Sequence, residues 1–330
     1  MKRILKVLGV LVVLVVFAVG CLLAYLRFGL PKVSPADQTL KIERTPARIA
    51  RGEYLANNVM DCFGCHGQKV MDAYGYPFVP GTRGAGGFRI PREWKFFPGD
   101  VTAPNITPFA LHDWTDGEIL RAITSGVSKH GRVLFPMMPY QDYGKLDRED
   151  MYSIIAYLRT LPSIPVTQRA TEIDFPLSFI LRTLPKDAQF HPRPDPSDEV
   201  ASGKYLVDAA ACMACHTVVD KQEKPIGEPF AGGRPFDFPP IRGVIRSANI
   251  TPDSLTGIGA WSRETFIATI RARGARVQAV THLSPEEPNT LMPYGNLARL
   301  TDQDLGAIYA YLRTLPAVKK SVVHWELKPI

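Results

Sequence analysis

Two pentapeptides constrain this chain more than any other feature: Cys62-Phe63-Gly64-Cys65-His66 and Cys212-Met213-Ala214-Cys215-His216. Cysteines three apart share one face of a helical turn, so each thiol can form a thioether with one of the two vinyl groups of a single porphyrin. The histidine that follows then lies under the iron, which is the spacing of c-type haem attachment. With five cysteines and seven histidines in 330 residues, chance supplies such a pentapeptide in roughly one of several hundred chains of this composition. Two in one chain predict two covalently bound haem c groups, attached through Cys62, Cys65, Cys212 and Cys215, with His66 and His216 as iron ligands.

Other uses of these cysteines fit less well. A zinc site needs four ligands converging in a tetrahedron, and a histidine directly after the second cysteine is poorly placed to join both on one metal. A thioredoxin-like pair belongs in a βαβ context, which the flanking sequence lacks.

The motifs sit inside a longer repeat. Arg51-Gly52-Glu53-Tyr54-Leu55 precedes the first and Ser202-Gly203-Lys204-Tyr205-Leu206 the second, each read as a helix leading into its attachment site. Downstream, Asn105-Ile106-Thr107-Pro108 recurs as Asn249-Ile250-Thr251-Pro252, and Trp114-Thr115 recurs as Trp261-Ser262, where a small hydroxyl residue should cap an amphipathic helix. Met137-Met138-Pro139-Tyr140 recurs as Leu291-Met292-Pro293-Tyr294, and Ala156-Tyr157-Leu158-Arg159-Thr160-Leu161-Pro162 as Ala310-Tyr311-Leu312-Arg313-Thr314-Leu315-Pro316. Matched landmarks in one order mean duplication of one domain. The expected boundaries are 46–165 for the first copy, 166–195 for a proline-rich strap with a short helix near Leu177–Leu184, and 196–330 for the second copy with its tail.

Residues Ile4 to Phe28 are almost wholly apolar, with Lys2, Arg3 and Lys6 on the N-terminal side. Residues 1–30 are therefore expected to form a transmembrane anchor, with the basic flank in the cytoplasm and everything after about residue 30 on the extracytoplasmic side. A cleaved signal peptide and lipoprotein processing at Cys21 are the alternatives. The apolar run continues past Cys21 through Leu22-Leu23-Ala24-Tyr25-Leu26, and no clear Ala-x-Ala site follows, which favours a retained helix. Residues 31–45 read as an extended linker lifting the first copy off the membrane.

The net charge of +7 invites a nucleic-acid partner, but its distribution excludes one. Residues 1–45 hold seven Lys/Arg against two Asp/Glu, whereas residues 46–165 hold 13 against 12 and residues 196–316 hold 12 against 13. The basic excess belongs to the ends of the chain and not to a binding face.

A haem iron that moves electrons without binding substrate needs a sixth protein ligand, and a methionine thioether meets that need. The repeat selects Met138 and Met292, both directly before Pro-Tyr, while Met137 has Leu291 as its counterpart and is read as packing. His130 and His282 compete for the same coordination positions, though neither has a matched partner in the other copy. Tyr54, Tyr205, Tyr157 and Tyr311 are read as aromatics packing the first and last helices of each copy, and Asn105 and Asn249 as turn caps rather than propionate ligands.

Taken together, these landmarks resemble the class I cytochrome c domain, and most closely the multihaem cytochrome c subunits of membrane-associated alcohol, aldehyde, gluconate and nicotinate-type dehydrogenases. The resemblance covers residues 46–316. It implies an all-α fold, with two tandem cytochrome c-like domains after the N-terminal helix, His/Met ligation, and delivery of electrons from a periplasmic dehydrogenase or other donor to the respiratory chain. A dehydrogenase subunit, a terminal oxidase or a soluble cytochrome are the implied redox partners. Those subunits usually carry three haems and a C-terminal anchor, whereas this chain has two motifs and an N-terminal apolar helix. An electron-transfer protein rather than an enzyme is expected. The competing readings are a dihaem enzyme of the peroxidase or thiosulfate dehydrogenase type, which needs an iron with an open or exchangeable position, and a haem-based sensor, for which no signalling module is attached.

Overall fold

The computed structural model describes residues 2–220, 223–238 and 243–328. The N-terminal apolar run is one continuous helix, α1 (Lys2–Ala24), prolonged by a π-helical turn over Tyr25–Gly29. Its 28 residues at 1.5 Å each reach about 42 Å, against roughly 30 Å for the hydrocarbon layer of a bilayer. None of them is buried against the rest of the chain.

The repeat in sequence is a repeat in structure. The first copy runs α2 (Pro46–Tyr54), α3 (Cys62–Cys65), β1 (Arg89–Ile90), β2 (Gly99–Thr102), α4 (Pro108–Leu111), α5 (Asp116–Ser125), α6 (Tyr140–Tyr143) and α7 (Arg148–Leu158). After β3 (Glu172–Ile173) and α8 (Leu177–Ile180) in the strap, the second copy runs α9 (Glu199–Ala209), α10 (Cys212–His216), β4 (Pro235–Phe236), β5 (Gly243–Arg246), α11 (Arg263–Gln278), α12 (Tyr294–Leu297), α13 (Asp302–Arg313) and β6 (Trp325–Leu327). The expected caps are made: Thr115 accepts from Glu118 N in a full capping box opening α5, and Ser262 accepts from Thr265 N opening α11.

In each copy the first and last helices cross at a glycine. A Cβ on Gly52 would lie 1.8 Å from the carbonyl oxygen of Ser153, and a Cβ on Gly203 would lie 1.8 Å from that of Ala307. The glycine of each leading pentapeptide therefore lets α2 touch α7, and α9 touch α13, backbone to backbone.

The all-α expectation needs correcting. The described residues include two small three-stranded antiparallel sheets, β1-β2-β3 and β4-β5-β6. In both, the chain leaving the closing helix returns as the third strand, with Ile173 opposite Gly99 and Trp325 opposite Ile245. Strands of two to four residues are too short to show a period-2 pattern, so the helical signal of their surroundings masks them.

Two further readings change. Residues 31–45 are largely extended, yet they pack on the first copy: Ile42 is buried and its N–H donates to Asp116 Oδ2 at 2.9 Å. The tyrosines of the first helices do not serve their own copy alone; their hydroxyls cross to the other. Tyr205 donates to Asp150 at 2.7 Å and accepts from Asp147 N at 3.2 Å, at the start of α7. Reciprocally, Tyr54 donates to Asp304 and accepts from Thr301 N at 3.1 Å, at the start of α13. Burial and the Asp304 carboxylate push the Tyr54 phenol up to about 12, so it is a donor at neutral pH. One apolar core accordingly runs through both copies, from Leu55, Phe63 and Ile154 to Leu206, Leu300 and Leu305.

Candidate haem sites

Each attachment motif is a single helical turn entered through a residue in the left-handed region, Asp61 (φ 46°) before α3 and Ala211 (φ 51°) before α10. For an alanine this conformation costs on the order of 1–2 kcal/mol. It recurs because the chain must turn out of α2 or α9 to present the two cysteines and the histidine.

None of the four motif cysteines is in a disulfide. Burial pushes the thiols of Cys62 and Cys212 up to about 12 and that of Cys65 to about 11. No group of three or more His, Cys, Asp or Glu side chains converges among the described residues.

The two histidines are held in the same way. His66 Nδ1 lies 2.7 Å from Pro104 O, and His216 Nδ1 lies 2.7 Å from Ala248 O. A carbonyl oxygen only accepts, so Nδ1 carries the proton and Nε2 keeps its lone pair for a metal. Burial lowers both imidazole pKa values, against a smaller opposing effect of the carbonyl bond, which favours that neutral, ligating form. A glycine makes the arrangement possible in each copy. Gly86 N donates to His66 O at 3.1 Å and Gly232 N to His216 O at 2.8 Å. Both glycines have positive φ, and a Cβ would come within 2.5 Å of Ala103 O or 2.3 Å of Ala248 O.

The Asn-Ile-Thr-Pro segments are clamps behind this acceptor strand. Asn105 Oδ1 accepts from Thr107 N and Oγ1 at 2.8 and 2.7 Å, while its amide donates to Ile164 O and Val166 O. Asn249 repeats this with Thr251 and with Val318 O. The turn reading of these asparagines holds, and each also ties the exit of the closing helix to the haem-binding side of its copy.

Met138 and Met292 occupy matched turns. Tyr140 N donates to Met138 O at 2.7 Å across Pro139 (φ −78°, ψ 56°), and Tyr294 N donates to Met292 O at 2.7 Å across Pro293 (φ −76°, ψ 56°). This is an inverse γ-turn, for which proline presets φ. Both methionines lie part-buried against the core that also takes in Cys62 and Cys212, whereas Met137 is 37% exposed. The rival histidines point elsewhere: His130 is exposed, and His282 pairs with Asp72 at 3.0 Å on the surface of the other copy. Per copy, the donor set is thus two thiols on one turn, an imidazole with Nε2 free, and a thioether on a fixed turn, which fits a covalently held haem. The close-approach glycines 52, 86, 203 and 232 carry a weaker sequence signal: Gly52 and Gly203 hold the same place in the two leading pentapeptides, and Ala85-Gly86-Gly87 recurs as Ala231-Gly232-Gly233.

A family model described as cytochrome c matches residues 49–162 and 200–316. The chain is 29% identical over 305 residues to the cytochrome c subunit of alcohol dehydrogenase (quinone) from Gluconacetobacter polyoxogenes, covering 86% of this chain and 59% of that protein. It is likewise 29% identical to the fructose dehydrogenase cytochrome subunit of Gluconobacter japonicus, covering 88% of this chain and 57% of the relative. A diheme cytochrome c-type protein of Cereibacter sphaeroides is 26% identical over 71% of this chain and 77% of its own length. The chain thus spans a little under three fifths of the dehydrogenase subunits it matches and a larger share of the dihaem protein. With one matched region around each motif, the chain belongs to the cytochrome c family and carries two covalently bound haem c groups.

Proposed function

We propose that this chain is a membrane-tethered electron carrier, passing electrons from a dehydrogenase on the extracytoplasmic side of the inner membrane to the respiratory chain. The names of its relatives, cytochrome subunits of alcohol and fructose dehydrogenases, support a dehydrogenase as donor. A terminal oxidase or a soluble cytochrome is the acceptor.

The observation that carries this reading is the duplicated Met-Pro-Tyr turn, packed on the same apolar core as its motif in both copies. Cys62 and Cys65 would hold one porphyrin and Cys212 and Cys215 the other, with His66 and Met138, and His216 and Met292, as the side chains that would bind each iron. A haem bound by histidine and methionine would supply one-electron transfer at a raised potential. The chain's own residues fix that ligation. Pro104 and Ala248 carbonyls orient the imidazoles, and the γ-turns fix the backbone from which each methionine side chain projects. The N-terminal helix anchors the body, with Lys2, Arg3 and Lys6 on the cytoplasmic side.

Visible and near-infrared spectra of the full-length protein test the reading. Low-spin, six-coordinate iron in both copies, unchanged by peroxide or cyanide at low concentration, is expected. A high-spin component that binds either ligand readily would replace the carrier with a dihaem enzyme.

A further inference from the structure

The strap between the copies carries apolar side chains that no part of the described chain covers, and they lie where the N-terminal helix ends. Phe175 is 65% and Ile180 52% exposed, beside Tyr25 at 48% and Phe28 at 83% in the last turn of that helix. Phe175 and Phe179 pack edge to face with centroids 5.6 Å apart, so the aromatic pair is a fixed surface. The strap is joined to the helix end by Arg182, whose guanidinium donates to Leu26 O at 2.7 Å and to Leu30 O. Ser34, just beyond, donates through both N–H and hydroxyl to Asp187 at 2.8 and 2.9 Å. The strap is joined equally to the first copy, through Gln141 to Leu184 O at 2.8 Å and Gln189 N to Gly144 O at 2.7 Å.

Depth follows from the sequence of the helix. Lys6 and Arg27 bracket twenty apolar or small residues, which at 1.5 Å each match the roughly 30 Å hydrocarbon layer. Arg27 therefore marks the outer boundary. The carbonyls that Arg182 engages, on Leu26 and Leu30, lie within one turn of that boundary. The chemistry suits a lipid headgroup layer: aromatic and aliphatic side chains beside Arg27, Lys32 and Arg182, with Arg27 stacked over Phe28 at 5.4 Å and Lys32 over Tyr25 at 5.6 Å.

Resting on the reading of α1 as a retained anchor, we infer that residues 174–184 form a second, interfacial membrane contact, with Phe175 and Ile180 seated in the outer leaflet of the bilayer. The anchor and strap together then hold the first copy in one orientation on the membrane, where a spanning helix followed by a free linker would let it tumble.

The test uses the full-length holoprotein in phospholipid vesicles and a lipid-soluble photoactivated carbene reagent, with glutathione outside to scavenge aqueous carbene. Trypsin then releases residues 170–182, residues 7–27 from the anchor, and residues 247–263, which carry Leu255, 77% exposed. Peptides 7–27 and 170–182 should both be labelled, with 170–182 severalfold above 247–263. The double variant Phe175→Ser/Ile180→Ser, changed only at exposed positions, should bring 170–182 down to the level of 247–263 while the haem spectrum stays as in the wild type. A labelled 7–27 with 170–182 no higher than 247–263 overturns the interfacial contact alone. An unlabelled 7–27 overturns the anchor reading, and this inference with it.

Discussion

Substituting Gly52→Ala puts the crossing of first and last helices to a quantitative test. An added Cβ would stand 1.8 Å from Ser153 O and 2.9 Å from Tyr157 Cβ. Both neighbours belong to α7, and the nearer is backbone that cannot rotate away. Real contacts of this kind essentially never fall below 3.0 Å, so α2 and α7 must separate by at least 1.2 Å. The gap would open over Leu55, Met151 and Ile154, each 1% exposed or less. Overpacking of a core in this way costs about 1–3 kcal/mol. A clash this deep against backbone falls in the upper half of that range, and alanine in place of glycine inside a helix returns roughly 0.5–1 kcal/mol, so a net loss of about 1–2.5 kcal/mol is expected. Urea unfolding followed by far-UV circular dichroism reads the loss as a lower midpoint with an unchanged slope. Wild-type or higher stability, the outcome that helix propensity alone would give, would refute the backbone-to-backbone crossing.

The ligand assignments separate by copy: Met138→Ala should abolish the sulfur-to-iron charge-transfer band of the first haem only and Met292→Ala that of the second only, with each potential falling. Met137→Ala should leave both bands in place, and a spectrum insensitive to Met138→Ala but altered by His130→Ala would reassign the first site. Tyr205→Phe removes a bond to the nearly buried Asp150, which keeps its pairing with Arg51 and Arg193, so a loss of about 1–2 kcal/mol is expected in urea unfolding. A change inside about 0.5 kcal/mol would mean that the tyrosine crossing does not hold the copies together.

Much of the site is legible in the sequence because covalent haem attachment needs a fixed local spacing. Cys62, Cys65 and His66 are specified within one turn, and duplication then points to Met138 by way of Met292. The tyrosine exchange was not legible, since an aromatic at a helix position looks the same whether its hydroxyl bonds within its own copy or to Asp150 of the other. Only the docking of two copies distinguishes these cases, and docking is set by long-range packing without a local signature. The sheets escaped for a different reason. Their third strands are drawn from the strap and the tail, where the pairing partner lies 74 residues away for Gly99 and Ile173 and 80 for Ile245 and Trp325, and neither strand is long enough to announce itself.

The departures from repeat symmetry are concentrated where the copies must be joined to something else. α11 has 16 residues where α5 has 10, and the longer helix leads into a loop that clasps the first copy. Tyr74 N donates to Thr281 O at 2.8 Å, Leu283 N to Asp72 O at 2.8 Å, and Gly75 N to Asn289 Oδ1 at 2.8 Å, with Arg276 stacked 3.9 Å over Tyr74. The strap is the other departure, and it binds the helix exit to the first copy. The two tyrosine bridges obey the symmetry, whereas the clasp and strap break it, each adding contacts that one copy alone could not make. Together with the shared core they oppose hinging between the copies, because opening the seam would expose Leu206 and Leu55 and strip several backbone groups of their partners at once. The two haem sites of such a body keep a constant separation, set by packing and not by a flexible linker.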